Sequence, residues 1–243
     1  MIIYADDTTV AISAETPEEL RSRLDAIAAE FTRWCKRNQL IVNCKKTVCM
    51  QFYARSGSSR RIQNLDVRVN SDTLNNCTTT KFLGLHLNSD MTWTTHIDSI
   101  CKKLNSSYYA IIQLKSCLDT SQLLNVYFAM VYSHISYHVI LWGNSSLATR
   151  VFIAQKRIVR LIFNLKSIQS CRPYFKEYRL LTLPSIYIYK CIISAKTMNS
   201  YEKNSDLHNY NTRSSRSLRS IKLYMKTVPF TWATSFLTLC PCM

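Results

Sequence analysis

The sequence predicts an α+β chain, a short sheet-bearing portion followed by a mostly helical one, on three observations. Up to about residue 90 the apolar pattern gives short strands around one helix, and from Trp93 onward it is helical throughout. Glycine and proline number only 3 and 5 in 243 residues, which favours helices over turn-rich sheet. At the start, Met1-Ile2-Ile3-Tyr4 and Val10-Ala11-Ile12 flank Asp6-Asp7, the pattern of a tight hairpin with acids at its tip. Such a pair is costly unless something positive balances it. A hard divalent cation does so with oxygen ligands, and an ordinary acidic turn is the plainer reading.

Each element follows from local signals. Thr16 caps a helix whose first turn holds Pro17 and Glu19. Leu20, Leu24, Ile27, Ala28, Phe31, Trp34 and Cys35 make one apolar face, with Arg21, Arg23, Asp25, Glu30 and Arg33 opposite. Leu40-Ile41-Val42 and Val48 to Phe52 read as strands, with Lys45-Lys46 between them. Arg55, Arg60 and Arg61 lie in a polar loop, either touching phosphate or simply solvated. Val67 to Val69 and Lys81 to Leu87 read as further short strands.

The second portion opens with a long helix marked by Ile97, Ile100, Cys101, Leu104, Tyr108, Ile111 and Ile112. Leu123, Leu124, Tyr127, Phe128 and Val131 begin another, expected to run toward Trp142-Gly143. A third carries Val151, Ile153, Ala154, Ile158, Leu161 and Ile162, with Lys156, Arg157 and Arg160 on its exposed side. A fourth lies within Leu180 to Met198 and begins near Pro184. Residues 199–226 are polar and basic, so a weakly ordered tail is expected, with Arg213, Arg216, Arg219 and Lys222 trailing along nucleic acid.

Charge points to a partner. The formal net charge is +16. Residues 1–100 hold 12 Lys/Arg against 11 Asp/Glu, whereas residues 101–243 hold 19 against 4. Interleaved with 14 tyrosines, that imbalance favours a polyanion such as nucleic acid over a membrane surface or a mere solubility device. No run approaches the ~18–20 apolar residues of a membrane-spanning helix. The N-terminus lacks a secretory pattern. Ten irregularly spaced cysteines suit a reduced, intracellular protein of the cytoplasm or nucleus. Cys240-Pro241-Cys242-Met243 lacks the aliphatic pair of a prenylation box. With so few glycines, no phosphate-cradling loop or dinucleotide fingerprint is present.

Several strings then fall in a known order. They are Tyr4-Ala5-Asp6-Asp7, Trp34-Cys35, Asn38-Gln39-Leu40, Asn43-Cys44-Lys45-Lys46-Thr47, Lys81-Phe82-Leu83-Gly84-Leu85, Trp93 and His96-Ile97. Farther on come Leu141-Trp142-Gly143, Gln155-Lys156-Arg157, Cys171-Arg172-Pro173-Tyr174-Phe175 and Tyr210-Asn211-Thr212-Arg213. To about Arg219 the chain resembles the C-terminal part of the reverse transcriptase of non-LTR retrotransposons, the jockey-like group in particular. Val228 to Met243 departs from that pattern and reads as a shifted reading frame or a chance extension.

The resemblance implies a truncated reverse-transcriptase palm (hairpin, helix, short antiparallel strands) with a primer-grip hairpin over residues 1–90. A helical thumb and downstream region over 91–198 and a basic tail over 199–243 would follow. It implies an RNA-directed DNA polymerase working on an RNA template, a DNA primer and dNTPs through two Mg²⁺ ions, with Mn²⁺ a possible substitute. Asp6 and Asp7 would be catalytic metal ligands, with Tyr4 and Ala5 under the primer terminus. Lys46 would lie near the triphosphate, unless it is a surface lysine. Phe82, Leu83 and Gly84 would grip the primer, and Lys156, Arg157 and Arg160 would touch nucleic acid. The family also uses an Asp on an earlier strand, and none of Asp66, Asp72, Asp90 or Asp98 replaces it. With fingers and that acid absent, the fragment is expected to be inactive alone, with an exposed hairpin edge and poorly held metal. The competing readings are a non-catalytic nucleic-acid-binding module and a translated relic without function.

Overall fold

The computed structural model describes residues 2–4, 7–14, 16–52, 67–69, 72–198, 234–239 and 241–242. The chain mixes helix and sheet in two compact units, one of residues 1–92 with 226–243 and one of residues 93–225.

In the first unit β1 (Ile2–Tyr4) and β2 (Asp7–Ile12) form an antiparallel hairpin, with Tyr4 opposite Asp7. Helix α1 (Pro17–Arg37) follows, capped by the Thr16 side chain, which accepts from the Glu19 amide at 3.2 Å. Its buried face is Leu20, Leu24, Ala28, Phe31 and Cys35. These residues share one core with Val10 and Ile12 of β2, Cys49, Val67, Val69 and Leu74. Trp34, expected on that face, stacks on Phe31 but stays 44% exposed, because position 34 sits at the stripe's rim.

Next come β3 (Ile41–Val42), β4 (Val48–Phe52), β5 (Arg68–Val69), β6 (Asp72–Thr73) and β7 (Asn75–Asn76). They are followed by β8 (Thr79–Phe82) and β9 (Leu85–Asn88). The last two pair around Leu83 and Gly84, at φ 44° and 80°. Positive φ at both loop positions matches the right-handed strand twist, and Gly84 meets that demand without a Cβ penalty.

The chain end corrects the expected tail in part. Residues 234–239 and 241–242 form β10 (Thr234–Leu239) and β11 (Pro241–Cys242). The main sheet has the order β1-β2-β10-β4-β7, with β10 antiparallel to both neighbours and β7 parallel to β4. The hairpin's inner edge is therefore covered. From Val228 to Met243 the sequence holds no charged residue, unlike the basic run before it, and Thr, Phe and Leu suit a paired strand.

In the second unit α2 (Thr94–Leu114) is followed by α3 (Thr120–Tyr127), with a full capping box between Asp119 and Gln122. The helix continues through a π-helical turn (Phe128–Tyr132) into α4 (Ser133–Ser136). It does not run on to Trp142. Tyr137 is extended at ψ 115° and His138 left-handed at φ 45°, and α5 (Val139–Trp142) restarts the helix. The buried Trp142 indole donates to the Tyr137 carbonyl at 3.1 Å, so the break leaves that acceptor satisfied. Gly143 lies where a Cβ would meet the Val139 carbonyl and the Tyr187 ring within 2.7 Å, so only glycine lets these segments close.

Helices α6 (Ala148–Ile162), α7 (Arg172–Glu177) and α8 (Leu183–Met198) complete the unit. Gln155 of α6 is fully buried and satisfied at both ends of its amide. Its Nε2 donates to the Tyr127 hydroxyl at 2.8 Å and the Leu181 carbonyl at 2.9 Å, while its Oε1 accepts from the Leu183 amide at 2.9 Å. One side chain thus ties α3, α6 and the start of α8 together. Burial, opposed by the Gln155 hydrogen bond, pushes the Tyr127 phenol up to about 12. Among the described residues no helix is long and apolar enough to cross a membrane.

A chain with so few glycines ends its helices on costlier residues. Gln39, Asn164 and Arg179 take φ of 57°, 54° and 51°, and each precedes a residue whose amide reaches back into the helix. The sequence Asn38-Gln39-Leu40 is such a stop, closed by the Leu40 amide on the Cys35 carbonyl at 2.9 Å.

Two outcomes are expected in denaturant unfolding. Replacing Gln155 with Leu strands the Leu183 amide, the Leu181 carbonyl and the Tyr127 hydroxyl, and should lower stability by about 3 kcal/mol or more. Arg179→Gly relieves a left-handed Arg and should raise stability by about 0.5–1 kcal/mol.

Candidate nucleic-acid interface

The acidic turn and Lys46 belong to different segments that the sheet brings to one end. Across the sheet Thr9 of β2, Thr238 of β10 and Val48 of β4 are aligned partners. Because β10 is antiparallel to both, β2 and β4 run parallel and begin at the same end. Asp7 starts β2, and Lys46 lies two residues before Val48. Two strand spacings separate Thr9 from Val48, roughly 10 Å. Tyr4 and Asp7 belong to paired strands, whereas Ala5 and Asp6 lie outside the described residues.

Lys46 is exposed in a turn that Asn43 builds. The Asn43 Oδ1 accepts from the amides of Lys45 and Lys46 at 3.1 and 3.2 Å, and its carbonyl accepts from the Thr47 amide and hydroxyl, both at 2.9 Å. The string Asn43 to Thr47 is thus an Asx turn that fixes the approach to β4 and leaves the lysine free to reach outward. Phe82 and Leu83 are half-buried and Gly84 exposed at the tip of the β8–β9 hairpin, and β8 lies against β4.

Metal ligation needs convergence. Among the described residues no group of three or more His, Cys, Asp or Glu is placed to hold an ion. Asp90 accepts from the Thr92 hydroxyl and amide, at 2.8 and 3.2 Å, within its own loop. Asp98 sits in the first turns of α2 and pairs with Arg150 at 2.7 Å.

In the second unit the basic residues of α6 divide into two sets. Arg150 and Arg157 lie on one stripe with Ile153 and Ala154, and face Cys101, Leu104, Asn105 and Tyr108 of α2. Between them runs an open groove of about 260 Å³. The Arg157 guanidinium lies over the Tyr108 ring, 4.1 Å from its centroid, a geometry that holds the cation in place while its edges stay open to a ligand. Lys156 and Arg160 are turned elsewhere. The Lys156 ammonium sits over Phe152 at 4.6 Å, and the Arg160 Nε donates to the Gln169 carbonyl at 3.1 Å. Lys115 caps the far end of α6 by donating to the Leu161 carbonyl at 2.5 Å and to Asn164.

Of the three cations that sequence singled out on α6, the groove takes Arg157. It adds Arg150, Tyr108 and Asn105, which sequence reasoning passed over. Their signal was helical spacing along α2: positions 101, 104, 105 and 108 share a face, opposite Arg150 and Arg157. Of the resemblance strings, Trp142 and Gln155 are core while Leu141 is exposed, and Cys171 to Phe175 supplies the buried Phe175 and the Tyr174 ring tilted against Phe163 at 4.7 Å. Arg55, Arg60, Arg61, Arg213, Arg216, Arg219 and Lys222 lie outside the described residues.

The chain matches no protein-family model, no curated protein and no solved structure. Its chemistry rests on its own residues.

The eight cysteines from Cys35 to Cys191 are free thiols. Burial, reinforced by Cys77, pushes Cys49 up to about 12, and burial raises Cys101 in the groove while Arg150 opposes the rise. Cys117 is exposed. Since the thiolate is the reactive form, a thiol reagent near neutral pH should modify Cys117 first and Cys49 last of these three, read by peptide mass mapping. A polyanion seated in the groove should slow Cys101 further and leave Cys117 unchanged.

Proposed function

We propose that this chain is part of the RNA-directed DNA polymerase of a jockey-like non-LTR retrotransposon, a palm remnant joined to a helical thumb-like region. On its own it binds nucleic acid and does not extend a primer. The observation that carries this reading is the alignment of Thr9, Thr238 and Val48, which puts the acidic turn and the Lys46 turn at one end of the sheet. A polymerase needs carboxylates and a cation together there, and this alignment meets that requirement.

In the intact enzyme Asp6 and Asp7 would hold Mg²⁺ or Mn²⁺, which would supply the charge neutralisation that nucleotidyl transfer requires. Among the described residues no group of three or more such ligands converges, so the donor set does not fit a working two-ion site. Lys46 would meet the triphosphate, and Tyr4 and Ala5 the primer end. Phe82, Leu83 and Gly84 would steady the primer through backbone approach at the hairpin tip. Arg157, held in place by Tyr108, would contact the phosphates of an RNA–DNA duplex together with Arg150, whereas Lys156 and Arg160 are turned away from that groove. The excess of cations after residue 100 supports this as the part that binds.

Primer extension tests the first claim: with Mg²⁺ or Mn²⁺ and dNTPs the chain alone should add no nucleotide. Incorporation that Asp6→Ala abolishes would refute it. Binding tests the second. Affinity for an RNA–DNA hybrid should fall about tenfold or more between 50 and 200 mM salt, and Arg157→Ala should flatten that slope by about one contact. Salt-independent binding sinks the module reading.

A further inference from the structure

The main sheet is built from the two ends of the chain. Strands β2 and β4 run parallel, one strand's width apart, and do not pair with each other. Strand β10 fills the gap, matching five residues of β2, from Ser235 opposite Ile12 to Leu239 opposite Thr8. It also matches five of β4, from Thr234 opposite Phe52 to Thr238 opposite Val48. Without it both inner edges present unpaired amides and carbonyls beside Thr8, Thr9, Cys49, Met50 and Gln51, all of them buried. The gap therefore accepts a strand, and backbone pairing rather than a unique side chain defines what enters it.

Nothing local decides whose strand that is. Residues 199–233, which lie outside the described ones, separate β10 from α8, and 35 residues reach at most ~120 Å at 3.3–3.6 Å each. The strand's contacts in a neighbour's sheet would be the same as in its own. The main terms that differ are the effective concentration of a tethered strand, in the millimolar range or below for a linker of this order, and the protein concentration. A segment with equal contacts in either place and a long connection is the setting for reciprocal exchange.

We propose that the β2–β4 gap is a strand-acceptor site and that a second copy of this chain is its partner, the two copies trading residues 234–239 to form a two-fold dimer. At low concentration each copy keeps its own strand. On refolding at concentrations near the effective molarity of the tether, the strands exchange and the dimer persists on dilution, because release requires reopening both sheets.

The aligned pair Thr9 and Thr238 gives a direct test in the full chain. A Thr9→Cys chain and a Thr238→Cys chain are unfolded together, refolded at high concentration and mildly oxidised. The expected product is a disulfide between the two different chains, mapped by mass spectrometry, at twice the chain mass and above the level from the wild-type cysteines. The doubly substituted chain, refolded dilute, should close the same bond within one molecule and remain a monomer. Closure within that double variant with no bond between chains in the mixture overturns exchange. Absence of the bond in both experiments overturns the acceptor site itself. Leu237→Pro, which removes one ladder amide, should abolish the mixed product while leaving helical circular dichroism largely intact. A mixed product that survives this substitution also counts against strand exchange.

Discussion

The main sheet of the first unit depends on one strand that lies between two others and pairs with both. Strands β2 and β4 are parallel and carry the acidic turn and the Lys46 turn on their leading ends, and β10 sets both their separation and their alignment. A one-residue slip of β10 against either neighbour would turn every side chain on it to the opposite face. Backbone pairing thus links a segment near residue 238 to the candidate chemistry near residues 6 and 46. The hydrophobic half of the constraint comes from α1, whose stripe from Leu20 to Cys35 meets Val10, Ile12 and Cys49 across the same sheet.

The second unit answers to a different demand, satisfying polar groups inside a helical core. The α3-to-α5 stretch breaks at Tyr137 and His138, and α8 enters the core beside α6, so backbone groups would be left unpaired at both places. The Trp142 indole covers the first, and the Gln155 amide covers the second. Residues that looked like functional signatures turn out to be the parts that let irregular backbone be buried. What remains for a ligand is the groove of Arg150, Arg157 and Tyr108, where cations lie within reach of solvent against an aromatic surface.

Much of the secondary structure was legible because it is local. Thr16 and Pro17 announce α1, Pro184 marks the first turn of α8, and the mostly apolar run Val48 to Phe52, broken only by Gln51, gives β4, which is buried on both faces. Errors came where a local pattern was continued past a nonlocal decision. Helical periodicity from Leu123 gives no sign that His138 will turn left-handed, since the compensating donor is a tryptophan four positions later. Trp34 fits the apolar stripe by spacing but falls at its rim, where the sheet no longer covers it.

The amino-acid order by itself determined the helical caps, the strand and helix periods, the opening hairpin, and the concentration of positive charge after residue 100. All of these are set within a few residues or by simple composition. Only the tertiary structure decided that residues 234–239 close the sheet, that Lys46 begins on the same end as Asp7, and that Arg157 rather than Lys156 or Arg160 faces the groove. Strand order and helix-face pairing join segments tens to hundreds of residues apart, and their energy comes from backbone ladders and buried contacts that no short window of sequence contains.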